Sequence, residues 1–77
     1  MNNDNDTAAL TLDVIVNGQA HTLVAFSTLA DLISRLGHVP EGIATAVNGE
    51  FVVRSQRHEC VLRDGDKVTC FQAIVGG

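Results

Sequence analysis

The sequence lacks the features by which several large classes of protein are recognised. It has three Phe, no Trp and no Tyr, so its core must be small and largely aliphatic. Lys and Arg number five against nine Asp and Glu, without the basic cluster that binds nucleic acid or an anionic membrane. No apolar run approaches the length of a bilayer span. We therefore expect neither nucleic acid nor a membrane as a partner.

Cysteine is also scarce. Cys60 and Cys70 are the two cysteines in 77 residues, whereas a disulfide-stapled domain of this size normally carries four or more. We expect free thiols and a reducing, cytoplasmic setting. The opening MNNDNDTAA has neither the basic region nor the apolar stretch of a signal peptide. We interpret residues 1–10 as a disordered polar leader.

The rest of the chain has the composition of one globular domain, with 45% hydrophobic residues overall. Apolar and polar residues alternate through TLDVIV, and a second alternating run, QAHTLVAF, follows after Asn17-Gly18. Asn-Gly is the pair that best tolerates positive φ at both central positions of a type I′ turn. This stretch is predicted to be a β-hairpin.

A helix is predicted over STLADLISRLG. Its apolar residues recur at i, i+3, i+4 and i+7 and so share one face; they are Leu29, Leu32, Ile33 and Leu36. Ser27 or Thr28 is expected to cap the N-terminus, and Asp31 lies in the first turn, where negative charge is favourable. Gly37 suits the left-handed position after the C-terminus.

The second half of the chain reads mainly as strands. IATAV is predicted to be a strand, Asn48-Gly49 a second turn, and Phe51 to Val53 a short strand. RSQRHECVLRDGD reads as an irregular polar segment, anchored to the core by its apolar residues Cys60, Val61 and Leu62. KVTCFQAIV is predicted to be the last strand.

This order of elements predicts an α+β fold, with one helix packed across one face of a mixed sheet of four to five strands. The last strand is expected to run parallel to the first in the middle of the sheet, which is the β-grasp, or ubiquitin-like, arrangement. We assign residues 11–75 to this domain and residues 76–77 to a flexible Gly-Gly tail.

Several motifs within this order resemble those of sulfur-carrier proteins, and above all the thiamine-pathway carrier (ThiS family). They are VNGQ, AVNGEFV followed by Arg54, Asp64-Gly65-Asp66, and the terminal FQAIVGG, and the resemblance covers residues 12–77. The chain departs from the family at Val53, where Pro is frequent, near His58, where an aromatic is frequent, and at Val75, where Ala is common.

The resemblance implies chemistry on the main chain. A ubiquitin-activating-like adenylyltransferase (ThiF-like) would use MgATP to adenylate the Gly77 carboxylate, and sulfur would then convert it to a thiocarboxylate. Thiazole synthase (ThiG-like) would receive this sulfur for the thiazole of thiamine. Gly76 and Val75 would be recognised as the tail. The chain would be a protein co-substrate, monomeric when free, with no active site or bound cofactor of its own.

Three further residues are candidates for the partner interface: Phe71, Ala73 and Arg54. If the helix covers the strand face of Val68 and Cys70, Phe71 points to the open face of the sheet with Ala73. An exposed Phe71 is either a binding anchor or a cap on a small core. We interpret Arg54 and Arg57 as parts of a solvated face. The less favoured alternative is that they pair with acidic residues of a partner.

Other combinations of reactive residues have simpler explanations. His58-Glu59-Cys60 lacks the ligand spacing of a zinc site, so we expect no metal. Asp64 and Asp66 are read as turn residues rather than an acid/base pair. Cys70 is read as a small buried hydrophobe, and His38 as a solvated loop residue.

Three alternatives to the thiamine carrier stay open. A subunit like the small subunit of molybdopterin synthase also ends in Gly-Gly but usually has prolines just before the tail, and FQAIVGG has none. A ubiquitin-like modifier would form an isopeptide bond from the same adenylate. In a pure interaction domain, the terminal Gly-Gly would have no role.

Overall fold

The fold is a five-stranded mixed sheet with one α-helix, and the computed structural model describes residues 10–72 of the chain. The elements are β1 (Thr11–Val16), β2 (Gln19–Val24), α1 (Leu29–Arg35), a 3₁₀ segment (Pro40–Gly42), β3 (Ile43–Val47), β4 (Glu50–Val52), a second 3₁₀ segment (Arg54–Glu59) and β5 (Lys67–Gln72). Residues 1–9 and 73–77 lie outside the described residues, so the predicted leader and Gly-Gly tail stay predictions.

The last strand lies in the centre of the sheet, whose order is β2-β1-β5-β3-β4. β5 pairs in parallel with β1, with Val16 opposite Val68, and antiparallel with β3, with Ile43 opposite Gln72. The predicted α+β fold, its strand order and the position of its last strand are confirmed. β1 therefore holds the start of β5, at Lys67 and Val68, and β3 holds the strand from Val68 to Gln72.

Both Asn-Gly pairs form the turns that were predicted. Asn17 and Gly18 have φ values of 50° and 86°, and Asn48 and Gly49 have φ values of 52° and 86°. Positive φ at both central positions is the signature of a type I′ turn, which continues the right-handed twist of the strands. β4 begins one residue earlier than predicted, because the two-residue turn pairs Glu50 directly with Val47.

Helix α1 begins and ends where the sequence predicts. Thr28 is the N-cap, and its hydroxyl accepts a hydrogen bond from the Asp31 N–H while the Asp31 carboxylate accepts one from the Thr28 N–H. At the other end Gly37 has a φ of 82°, and the N–H groups of Gly37 and His38 donate to the carbonyls of Ser34 and Ile33. This is a Schellman motif, which satisfies the last carbonyls of the helix.

The core lies between α1 and one face of the sheet. Alternate residues of β1 and β5 point toward the helix, which contributes its apolar face in return. The buried residues are Leu12, Val14, Val16, Leu23, Leu29, Leu32, Ile33, Leu62, Val68 and Cys70. Burial of Cys70 with these aliphatic side chains confirms that it is a small hydrophobe of the core.

The segment predicted to be irregular contains the second 3₁₀ segment and a buried arginine. Arg57 is 4% exposed, so its assignment to a solvated face was wrong. Its Nε donates to Thr45 Oγ1 (3.0 Å), its Nη1 to the Pro40 carbonyl (2.9 Å) and its Nη2 to the Ile43 carbonyl (2.6 Å). These acceptors replace the water that the guanidinium loses on burial.

The same segment corrects one core assignment. Val61 is 51% exposed and does not anchor the segment, whereas Leu62 is 2% exposed and does. Cys60 is partly buried against the core, as predicted. The Leu62 N–H donates to the Ser27 carbonyl and the Leu29 N–H to the Cys60 carbonyl, which fixes the segment beside the start of α1.

Candidate functional site

The root of the C-terminal tail is the end of β5, where β5 extends past its neighbour β1. β1 ends at Val16, opposite Val68, and β5 continues to Gln72. The side chain of Asn17 occupies the place of the missing strand: its Nδ2 donates to the Cys70 carbonyl (3.0 Å), and the Cys70 N–H donates to its Oδ1 (2.9 Å). The amide thus acts as one more peptide group of β1.

The second Asn-Gly turn binds the start of β5 in the same manner. The Lys67 N–H donates to Asn48 Oδ1 (3.0 Å), and Asn48 Nδ2 donates to Asp66 Oδ1 (2.9 Å). The two asparagines therefore hold the central strand on opposite sides, Asn48 at its first residue and Asn17 at Cys70, two residues before its end. The sequence predicted the backbone role of both residues, and their side-chain contacts were not foreseen.

Asp64 and Asp66 form a turn, as predicted. Asp64 Oδ1 accepts a hydrogen bond from the Asp13 N–H (2.8 Å), and Asp66 Oδ2 accepts one from the Arg63 N–H (2.8 Å). Gly65 lies between them with a φ of 88°. Both carboxylates thus accept backbone hydrogen bonds around the turn that leads into β5.

Phe71 lies on the face of the sheet opposite the helix. Val68 and Cys70 are buried beneath α1, and Phe71, one residue out of phase, is 49% exposed. This confirms the direction predicted for Phe71, while its role as a binding anchor stays a prediction. Ala73, Val75, Gly76 and Gly77 lie outside the described residues.

A second phenylalanine, which was not among the candidates predicted from the sequence, shares this face. Phe51 is 64% exposed and pairs across the sheet with Ala46, while Phe71 pairs with Ala44. We call these four residues, Phe71, Ala44, Ala46 and Phe51, the open-face patch. Alternation with the partly buried Val52 could have placed Phe51 on this face, but its proximity to Phe71 depends on the register of β3.

Arg54, the third interface candidate, is exposed beside the open-face patch. Its Nη1 lies 3.9 Å from Glu41 Oε2, and the two side chains are 59% and 69% exposed. Such an exposed ion pair contributes little to the stability of the fold, so Arg54 can leave Glu41 for another acidic group at little cost. The interpretation of Arg54 as a solvated residue is confirmed, and its contact with a partner stays a prediction.

The thiols of Cys60 and Cys70 are both free. Burial raises the pKa of the Cys70 thiol, with an opposing effect of Arg57, and burial together with Asp66 raises the pKa of Cys60. A raised pKa keeps a thiol protonated, which is the opposite of what a nucleophilic cysteine requires. Within residues 10–72, no three His, Cys, Asp or Glu side chains gather in a way that could hold a metal ion.

The described part of the chain also contains no helix with the length and apolar character to cross a bilayer. Its one α-helix has seven residues. Two features stand out among the described residues, namely the anchored root of the tail and the open-face patch next to it.

Comparisons with known proteins point to one family. The model of the ThiS family matches residues 14–77. The sulfur carrier protein ThiS of Escherichia coli (strain K12) is 33% identical over 66 residues, which cover 86% of this chain and 100% of that protein. The crystal structure of the thiamine biosynthesis protein ThiS from Geobacter metallireducens superimposes with a TM-score of 0.73 at 28% identity, covering 86% of this chain and 100% of the other. By sequence and by fold, the chain is a member of the ThiS family.

Proposed function

We propose that the chain is the sulfur carrier of thiamine biosynthesis and that its reacting group is the α-carboxylate of Gly77. Membership of the ThiS family, over residues that include the terminal Gly-Gly, is the observation that carries this proposal. The position of β5 supports it. Because the strand is paired with β3 as far as Gln72 and is anchored on its other side by Asn17 at Cys70, a partner receives the following residues from a fixed point.

The proposed chemistry activates a poor electrophile. A carboxylate resists attack because its leaving group would be oxide, so the partner's MgATP first converts it to an acyl-adenylate, with release of pyrophosphate. A sulfur nucleophile then displaces AMP: the C–O bond to the phosphate breaks and a C–S bond forms. When the nucleophile is hydrosulfide, loss of its proton leaves a thiocarboxylate on Gly77. When it is a persulfide, an acyl disulfide forms first, and a thiol cleaves its S–S bond to give the thiocarboxylate and a mixed disulfide with the donor.

Two terminal glycines are suited to this chemistry, although they contribute little to the stability of a fold. A carboxyl terminus that must enter a narrow channel is obstructed by Cβ atoms, and glycine adopts backbone angles that other residues reach only with strain. We propose that Gly76 and Val75 are recognised with Gly77 in that channel. The chain is then a protein co-substrate that needs no bound cofactor and no catalytic side chain of its own.

The test is fragment-level mass spectrometry of the C-terminal peptide after incubation with MgATP, a sulfur donor and the adenylating enzyme of the same organism. We expect sulfur on Gly77 in the native chain, and none in chains carrying Gly77→Ala or lacking Gly77, with the melting temperature nearly unchanged. Normal sulfur loading of either variant would refute the proposal. A ladder of conjugates with target proteins would instead indicate a ubiquitin-like modifier.

The open-face patch is the proposed docking surface for the adenylyltransferase and for thiazole synthase. Aromatic side chains on a shallow apolar surface are typical anchors of protein interfaces, and Phe71 lies one residue before the root of the tail. Ala73 would extend this surface, and Arg54 would pair with an acidic group at its rim. Phe71 thus belongs to the interface rather than to a cap on the core.

Substitution of Phe71 tests this surface. We expect Phe71→Thr to raise the KM of the adenylyltransferase for the carrier by about tenfold, the effect of losing roughly 1.4 kcal/mol of contact, with little change in kcat. Phe26→Asn is the control, because Phe26 is 80% exposed and follows the opposite end of the sheet. Equal KM values for the two variants would contradict the assignment.

The setting that we propose is the cytoplasm, where thiols stay reduced. Free Cys60 and Cys70 support this, since neither is committed to a disulfide. A thiocarboxylate is itself a soft sulfur nucleophile and benefits from the same reducing conditions. We propose that the carrier is monomeric until it meets a partner.

A further inference from the structure

A pocket beside the C-terminal end of α1 contains two of the five Lys and Arg of this acidic chain, together with two of its three histidines. It has a volume of about 250 Å³, and its lining includes Arg54, Arg57, His38 and His58. The whole chain has a net charge of −4, with five Lys and Arg and three His. None of the lining residues, all within the described range, is Asp or Glu. This concentration of one sign of charge favours an anionic ligand.

The buried Arg57 is the strongest observation. A guanidinium carries five N–H donors, and three of them bind Thr45 Oγ1 and the carbonyls of Pro40 and Ile43. Neutral acceptors satisfy these N–H groups but leave the positive charge uncompensated, and no carboxylate among the described residues pairs with Arg57. Two N–H groups have no acceptor in the described part of the chain. An oxyanion in the pocket would supply both the acceptors and the missing negative charge.

The surroundings hold the guanidinium in place for such a ligand. Its three hydrogen bonds fix the plane of Arg57, so a ligand would not have to order a mobile side chain. The carbonyls at the nearby end of α1 do not occupy the pocket as acceptors, because Ser34 and Ile33 already bind the N–H groups of Gly37 and His38. The apolar wall, formed by Ala30 and Ile33, would lower the local dielectric and strengthen the interaction.

Two acids pair with residues that line the pocket, but neither pair is firm. Glu41 lies 3.9 Å from Arg54, and Glu59 lies 3.6 Å from His58. Both carboxylate side chains are about 70% exposed, at 69% and 71%. Exposed pairs of this kind are weak, so a ligand could displace either carboxylate at little cost.

We propose that this pocket is a binding site for an oxyanion, either a carboxylate or a phosphate. Arg57 would bind the ligand from the floor of the pocket through its two remaining N–H groups, and Arg54 and His58 would bind it from the rim. The proposal does not depend on sulfur transfer, because it involves neither the C-terminal tail nor the open-face patch. It shares only Arg54 with the proposed docking surface, and its central residue, Arg57, lies outside that surface.

The test is titration of the full chain with inorganic phosphate and, separately, with acetate, followed by ¹H–¹⁵N NMR at constant ionic strength. We expect saturable shifts of the Arg57 Nε–H signal and of the Gly37 and His38 amides. Potassium chloride should produce none of them. Saturation by phosphate alone would identify a phosphate site, and saturation by acetate alone a carboxylate site. Shifts that do not saturate, or that equal those in chloride, would overturn the proposal.

Variants that leave Arg57 in place keep the test independent of folding. We expect Arg54→Gln to weaken binding by about two- to fivefold, as expected for the loss of one rim charge. Ala30→Glu, which places a carboxylate in the wall, should weaken it by at least tenfold. Arg63→Gln is the matched control, since it removes the same charge outside the pocket. Equal affinities for Arg54→Gln and Arg63→Gln, with Ala30→Glu still binding normally, would refute the site.

Discussion

Replacement of Asn17 by glycine should show how far one side chain secures the root of the tail. Glycine accepts the φ of 50° at this position, so the substitution removes the amide without straining the turn. The two hydrogen bonds to Cys70 are lost, at 3.0 and 2.9 Å. At about 1 kcal/mol for each net hydrogen bond, we expect Asn17→Gly to lower the free energy of unfolding by about 2 kcal/mol.

Urea unfolding followed by circular dichroism measures this change. For a domain of this size, about 2 kcal/mol corresponds to a fall in melting temperature of roughly 8–16 °C. Asn48→Gly is the matched control, because Asn48 has nearly the same φ and also makes two side-chain hydrogen bonds, at the start of β5. Its bonds are exposed, so its loss should be smaller, about 1 kcal/mol.

Hydrogen exchange distinguishes a local effect on β5 from a general one. The Cys70 N–H donates to Asn17 Oδ1, so Asn17→Gly should increase its exchange rate more than that of the neighbouring Thr69 and Phe71 amides, which point toward β3. Asn48→Gly should leave this contrast unchanged. Wild-type stability in Asn17→Gly, with slow exchange at Cys70, would refute the role assigned to the amide.

Two further predictions concern the buried arginine and the thiols. Arg57→Ala leaves three acceptors without their donor and should cost about 3–5 kcal/mol of unfolding free energy, whereas Arg54→Ala should cost about 0.5 kcal/mol; equal losses in urea would contradict the burial argument. Burial raises the pKa of the Cys70 thiol above its ordinary value of 9.0. The stability that comes from burying the protonated thiol is therefore complete below pH 9.0 and is lost as the pH rises through the pKa of the folded state. Stability should therefore decline more steeply above pH 9.0 in the native chain than in Cys70→Ala, and parallel pH profiles would show that burial of this thiol has no such effect.

Local patterns were sufficient to predict the elements that depend on neighbouring residues. The two Asn-Gly turns follow from the backbone freedom of those residues, and α1 follows from one apolar face with a cap at each end. The order of these elements then restricts the topology, because a helix between two hairpins must cover one face of a sheet that both share. The β-grasp fold was predictable for this reason.

The open-face patch and the oxyanion pocket were less accessible to such reasoning. The alternation of apolar and polar residues placed Phe71 on the correct face of the sheet. That Phe51 lies near Phe71 follows only from the pairing registers of β5 with β3 and of β3 with β4. A charged residue in a polar stretch is normally solvated, and nothing within RSQR indicates that Arg57 is buried. Its burial requires three acceptors, 12 to 17 residues away in sequence.

The sequence alone therefore determined the secondary structure, the fold class and the identity of the terminal Gly-Gly as the candidate reactive end. Each of these rests on the preferences of short segments or on a motif that can be read along the chain. The tertiary structure decided how Asn17 anchors the strand that leads to this end, since its partner Cys70 is 53 residues away. It also decided where Arg57 is buried, because hydrogen bonds between distant segments form only after the chain has folded.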